Sequence, residues 1–154
     1  MYSIRGKTAA TAATADHAIC TLWNPHATQR IKVVSFGIFV AAAPTGTPEI
    51  RLRRTTARGT AGSTVTPGIT NHDKNAVAPV SGVLLDLAAF SVQPTLTGVD
   101  LGFGWVAPLV LAAGIVYPIP GGIEIGPGAG LAVIQVAAVA WPISDISFSW
   151  LEDW

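Results

Sequence analysis

The stretch Ile146-Ser147-Phe148-Ser149-Trp150 alternates large apolar with small polar residues at period two. In an extended chain successive side chains leave on opposite faces. This spacing therefore puts Ile146, Phe148 and Trp150 on one face and Ser147 and Ser149 on the other. Upstream, Gly126-Pro127-Gly128-Ala129-Gly130 reads as a turn, with Ile123-Glu124-Ile125 before it and the apolar run Leu131 to Val136 after it. Strand, glycine turn, strand, strand predicts an antiparallel β-sandwich or barrel.

The same reading extends along the chain. His17 to Trp23 predicts a core strand stopped by the turn signal Asn24-Pro25. Ile31 to Val40 predicts another, with Val34, Phe36, Ile38 and Val40 on one face. Glu49 to Thr55 places Ile50 and Leu52 inward, Arg51 and Arg53 outward. Leu101, Phe103 and Trp105 alternate, and Ile115 to Ile125 adds a further strand. Val83 to Phe90 fits a short helix or an edge strand equally well. Thr56 to Gly82 has no apolar period and predicts a structureless connection of 27 residues. Residues 1–16 join Arg5-Gly6-Lys7 to a Thr/Ala run, which predicts an extended arm that orders only against a partner. The expectation is an all-β, antiparallel jelly-roll sandwich of about eight strands over residues 17–154, preceded by that N-terminal arm at residues 1–16.

Half of the 154 residues are hydrophobic and 12% are charged, where soluble domains carry roughly a quarter. Such a chain must hide surface in a membrane or in an assembly. Leu101 to Ile123 is free of charge for 23 residues, but Pro108, Pro118, Pro120 and interspersed glycines would break a spanning helix repeatedly. No basic segment leads into an apolar core at the start, so no secretory leader is expected. The single cysteine, Cys20, sits among apolar residues and reads as a small buried hydrophobe without an internal disulfide. Net charge is zero, yet residues 1–74 hold nine basic residues against three acids, net +6, and residues 75–154 hold six acids and no Lys or Arg, net −6. Two readings follow: the charges intermix on one surface, or basic and acidic faces meet across subunits.

No motif carries chemistry. Gly6-Lys7-Thr8 matches the end of a phosphate loop, but the loop's first glycine would fall on Met1. Gly126-x-Gly128 lacks the third glycine of a dinucleotide fingerprint, since Leu131 stands there. His17, His26 and His72 lack metal-ligand spacing, including the His-x-His of a cupin, and read as loop histidines. No Gly-x-Ser-x-Gly elbow occurs. No catalytic residue, metal or cofactor is expected. The one charge cluster is Arg51, Arg53 and Arg54 with Arg58; without interleaved aromatics it reads as a solvated face or a subunit contact before a nucleic-acid patch. Arg54 falls inward or at the strand end and is expected to meet a carboxylate or carbonyl at an interface. Trp154, the last residue, is expected to dock on a neighbour or seal a sheet edge.

Three segments carry a resemblance: Leu22-Trp23-Asn24-Pro25, Arg54-Thr55-Thr56-Ala57-Arg58-Gly59-Thr60, and Ile123-Glu124-Ile125-Gly126-Pro127-Gly128-Ala129-Gly130-Leu131. In layout the chain resembles the jelly-roll decoration, or cement, proteins that sit as trimers on the outside of tailed-bacteriophage heads. The resemblance implies a structural, non-enzymatic protein of the virion, made in the host cytoplasm. It implies a homotrimer bound to the major capsid protein, with neither nucleic acid nor membrane as partner. Arg5, Lys7, Arg51, Arg53, Arg54, Arg58 and Trp154 are the expected capsid or subunit contacts. A trimeric receptor- or glycan-binding head of a fibre or tail is the alternative; such heads follow a stalk of repeats or heptads, and here the domain starts within about twenty residues of Met1.

Overall fold

The computed structural model describes residues 1–65, 69–72, 78–107 and 113–152. Among these the protein is all β, with twelve strands in two antiparallel sheets that pack as a sandwich and no helix. The first sheet orders Gly114–Ile125 (β10), Ile31–Val40 (β3), Ser144–Leu151 (β12), Tyr2–Lys7 (β1) and Thr70–Asn71 (β6). The second orders Ser63–Val65 (β5), Leu84–Leu87 (β7), Ala18–Asn24 (β2), Ala129–Gln135 (β11), Glu49–Ala57 (β4) and Thr95–Thr97 (β8), with Gly104–Val106 (β9) also on β4.

The pairing is nested: β1 lies against β12, β2 against β11, β3 against β10, and β4 against β8 and β9. A chain rolled up in this way is consistent with the expected jelly roll. The core lies between the sheets. Ile4, Phe36, Ile38, Phe148 and Trp150 of the first sheet meet Cys20, Leu22, Leu52, Leu85 and Val133 of the second. Phe36 stacks with Phe148 at 5.0 Å between ring centroids and edge-on with Phe103 at 5.4 Å. Ile146, Phe148 and Trp150 are buried and Ser147 and Ser149 half-buried, as their alternation requires.

Three expectations change and one alternative is decided. Residues 2–7 are not an arm: β1 pairs with β12 from Tyr2↔Trp150 to Lys7↔Asp145 and buries Ile4. Its inward positions are Tyr2, Ile4 and Gly6, and a Cβ at Gly6 would stand 2.8 Å from both Leu87 and Val65; so little apolar bulk hides a strand from a periodicity reading. Residues 8–16 form no strand but are tied down, Thr8 and Thr11 N–H groups donating to the carbonyls of Ser144 and Trp141. In β3 the register slips at Val34, where Ser149 faces Ser35 and Trp150 faces Val33. The bulge inverts the alternation, so Ile31 and Val33 join Phe36, Ile38 and Val40 inside while Val34 stays half-exposed. The connection Thr56 to Gly82 contains β5 and β6, short pieces that add to an edge of each sheet. Leu84–Leu87, left open between helix and strand, is a strand between β5 and β2. The turn before β11 falls at Pro127-Gly128, with Gly128 at φ +61, a conformation that favours glycine.

Candidate interaction surface

The outward face of the second sheet carries most of the arginine cluster, and its charges are neutralised within the chain. Arg51 pairs with Glu49 at 2.8 Å and with Asp100 at 2.9 Å. Arg53 reaches the same Asp100 at 2.7 Å and Asp16 at 3.5 Å. Burial acts to raise the Asp100 pKa, but the hydrogen bonds from Arg51 and Arg53 outweigh it and hold the carboxyl below its usual range. The Asp100 hydrogen bond in turn raises the Arg51 guanidinium above its ordinary value.

Arg58 makes the most enclosed pair. Its Nε and Nη2 donate to the two carboxylate oxygens of Asp86, each at 2.7 Å, and the Thr64 hydroxyl donates to Asp86 at 2.6 Å. The Asp86 side chain is 1% exposed and Arg58 is 39% exposed. The hydrogen bond to Asp86 raises the Arg58 pKa. Arg54, exposed on the opposite side of the strand, donates to the backbone carbonyl of Glu124. It meets a carbonyl as expected, but one of its own chain. Trp154 lies outside the described residues.

A roof covers part of this second face. Ala18, Ala132 and Ile134 on β2 and β11 form a small satellite core with Phe90 and Leu96 from the chain between β7 and β9. Gln93 from that segment accepts a hydrogen bond from the Ala18 N–H at 2.8 Å. The ion pairs Arg30–Glu124, Arg51–Asp100, Arg53–Asp100 and Arg58–Asp86 each join the basic first half to the acidic second half. The charge asymmetry is thus largely resolved by intermixing inside one chain, because nested pairing lays early strands against late ones.

The outward face of the first sheet differs. Its cross-strand rows are Ser3–Ser149–Ser35, Arg5–Ser147–Gly37–Val116 and Lys7–Asp145–Phe39–Gly114. Arg5 and Lys7 are exposed and enter no ion pair among the described residues. With Gly6, Phe39 and Asp145 they line an open hollow of about 560 Å³. Phe39 is 44% exposed, and Val116 and Ile143 are exposed as well. Ile143 continues into a second, apolar hollow of about 190 Å³ beside Ala42, Ala43, Pro44 and Pro142.

No protein family matches the chain, and neither a curated protein nor a solved structure is significantly similar to it.

Of the expected contacts, the fold brings Arg5 and Lys7 together on the first sheet and spreads Arg51, Arg53, Arg54 and Arg58 over internal partners. Phe39 was missed. Its signal was available: an aromatic at position 39 falls outward between the inward Ile38 and Val40. Among the described residues no group of three or more His, Cys, Asp or Glu side chains could hold a metal. Nor is any helix long and apolar enough to cross a membrane.

Proposed function

We propose that this chain is a structural protein of a virus particle, a decoration or cement protein. In this reading it attaches as a trimer to the outside of a tailed-bacteriophage head and holds neighbouring major-capsid subunits together. The observation that carries it is the contrast between the two outward faces. The second sheet is roofed and its arginines are paired, whereas the first presents a broad run of small serine and glycine positions around exposed Phe39, Val116 and Ile143. Phe39, Val116 and Ile143, exposed together beside Arg5 and Lys7 in a chain with only 12% charged residues, suit a surface that another protein covers, although Val92, Val99 and Val106 are exposed on or beside the second sheet. A rigid sandwich lying across two capsid subunits would stabilise their junction by the free energy with which it binds the joined state. The jelly-roll-like pairing and the resemblance of the turn segments support the same assignment.

The test is co-sedimentation of purified protein with heads that lack it, followed by electron microscopy of the decorated particle. Density of trimeric knobs over capsid-subunit junctions is the expected result. A protein that stays in the supernatant at concentrations well above micromolar would remove the reading.

A further inference from the structure

We infer that the outward face of the first sheet around Phe39 is the attachment surface and that it takes an acidic polypeptide segment with apolar side chains from the partner. This rests on the attachment reading above.

The charge balance comes first. Arg30, Arg51, Arg53 and Arg58 are ion-paired within the chain. Arg5 and Lys7 have no such partner among the described residues, although Lys7 is cross-strand to Asp145. Two cations and one carboxylate around one hollow leave a net positive site. Carboxylates on a partner complement it, and a guanidinium binds a carboxylate with two parallel hydrogen bonds.

The second element is an aromatic anchor already held in place. Gly114 is the cross-strand partner of Phe39, and a Cβ there would stand 2.2 Å from Cδ1 of the ring. At Gly37 a Cβ would lie 3.6 Å from Cε2 of the same ring and 3.6 Å from Val116. The ring therefore lies across glycine positions on its own and the neighbouring strand. Covering strand glycines explains where the ring sits. It does not explain why two unpaired cations stand beside it. An aromatic side chain fixed before binding loses little rotamer freedom on contact, and aromatics with arginine dominate the energetics of protein interfaces.

The geometry favours a polypeptide over a nucleic acid. A phosphate backbone needs a stripe of cations along its track, whereas here two cations border a single hollow that also contains the Asp145 carboxylate. A segment placing carboxylates on Arg5 and Lys7 and an apolar side chain on Phe39 matches the excess positive charge and the ring, the two cations outnumbering the single Asp145 carboxylate.

The experiment measures fluorescence anisotropy with three labelled probes: a synthetic peptide alternating glutamate and leucine, its lysine-leucine counterpart, and a single-stranded oligonucleotide. Wild type should bind the glutamate peptide, more weakly as salt rises, and neither of the others comparably. The Arg5→Ser/Lys7→Ser double variant should lose about tenfold or more in affinity, the scale of one lost charge-assisted contact. Phe39→Ser should lose several-fold with its near-ultraviolet dichroism retained, and Arg54→Ser on the other sheet should bind as wild type. Tighter binding of the oligonucleotide, no binding of the glutamate peptide, or unchanged binding by the double variant each overturns the inference. Co-sedimentation with undecorated heads separates the two claims. If wild type and the double variant attach equally, attachment stands and this face is not its site. If wild type fails to attach yet binds the glutamate peptide through Arg5 and Lys7, the surface stands and the decoration reading falls.

Discussion

Replacing Arg58 by alanine should destabilise the sandwich by about 2–4 kcal/mol, although Arg58 itself is only half-buried. The cost lies with its partner. Asp86 is buried on β7 and accepts hydrogen bonds from Arg58 Nε, Arg58 Nη2 and Thr64 Oγ1. Truncating Arg58 removes two of these donors and leaves a carboxylate that is 1% exposed with only a hydroxyl. Breaking a buried pair from one side costs about 3–5 kcal/mol. The figure is reduced here because the guanidinium side is 39% exposed, so water can replace part of it. At about 2–4 °C per kcal/mol for a chain of this size, Tm should fall by roughly 4–16 °C.

Removing the other partner is gentler. Asp86→Ala leaves a guanidinium that can turn to solvent, so the single costs should be unequal and the double variant should cost less than their sum. Equilibrium urea unfolding at neutral pH, with equal slopes for all variants, measures the cycle. An Arg58→Ala cost below about 0.5 kcal/mol would show Asp86 to be hydrated, and the pair would then count as an ordinary surface contact. Charge reversal sharpens the contrast. Arg58→Glu sets a carboxylate against a buried carboxylate and should not yield folded protein, whereas Arg54→Glu should fold, since Arg54 is exposed and serves one backbone carbonyl.

Phe148→Ala and Trp150→Ala should each cost about 3–5 kcal/mol in urea unfolding, as for large aromatics removed from a packed interior, and Ser147→Ala and Ser149→Ala should change little; costly serines would put the last strand one residue out of register. Asp100 has a folded pKa below its unfolded value, so its contribution is present above about pH 4 and is lost as pH falls through the folded value; thermal scans of Asp100→Asn down the acid range should show a shallower loss than wild type. Burial pushes the Cys20 thiol pKa up, so its contribution is complete below the unfolded value of about 8.5. Above that, stability should fall by about 1.4 kcal/mol per pH unit in wild type, a term that Cys20→Ala abolishes.

The last strand was legible because Ile146, Phe148 and Trp150 lie wholly on the core while Ser147 and Ser149 alternate with them on the other face. Ile31 to Val40 was half legible: its existence shows in the apolar pattern, but its face changes at Val34, and that slip is set by the partners Ser149 and Trp150 far along the chain. β5 and β6, of three and two residues, have no periodicity to read; they exist because β7 and β1 offer unpaired edges. The Arg51–Arg58 cluster was visible as charge, but its role was not. Asp86 and Asp100 are 28 and 49 residues from the arginines they bind, Arg58 and Arg51. Only the order of strands shows that they are neighbours.

That order also decides where free charge can remain. Nested pairing lays early strands beside late ones, and cations are quenched wherever a late strand or a loop next to it offers a carboxylate, as the loop residue Asp100 does for Arg51 and Arg53. β1 lies against β12, whose outward residues opposite it are Ser149, Ser147 and Asp145. Ser147 gives Arg5 no counter-charge, and one carboxylate stands beside two cations. Because β1 is a paired strand and not an arm, the backbone that carries those cations is fixed on the same sheet face as Phe39, with β12 between them. The backbone's ordering cost is met by folding, so binding has only the two side chains left to order. The same placement means that removing residues 2–15 would uncover the edge of β12 and empty the site of Ile4 in the core. Loss of attachment after such a truncation would therefore report unfolding. Only substitutions on the outward positions of β1 separate the surface from the fold that presents it.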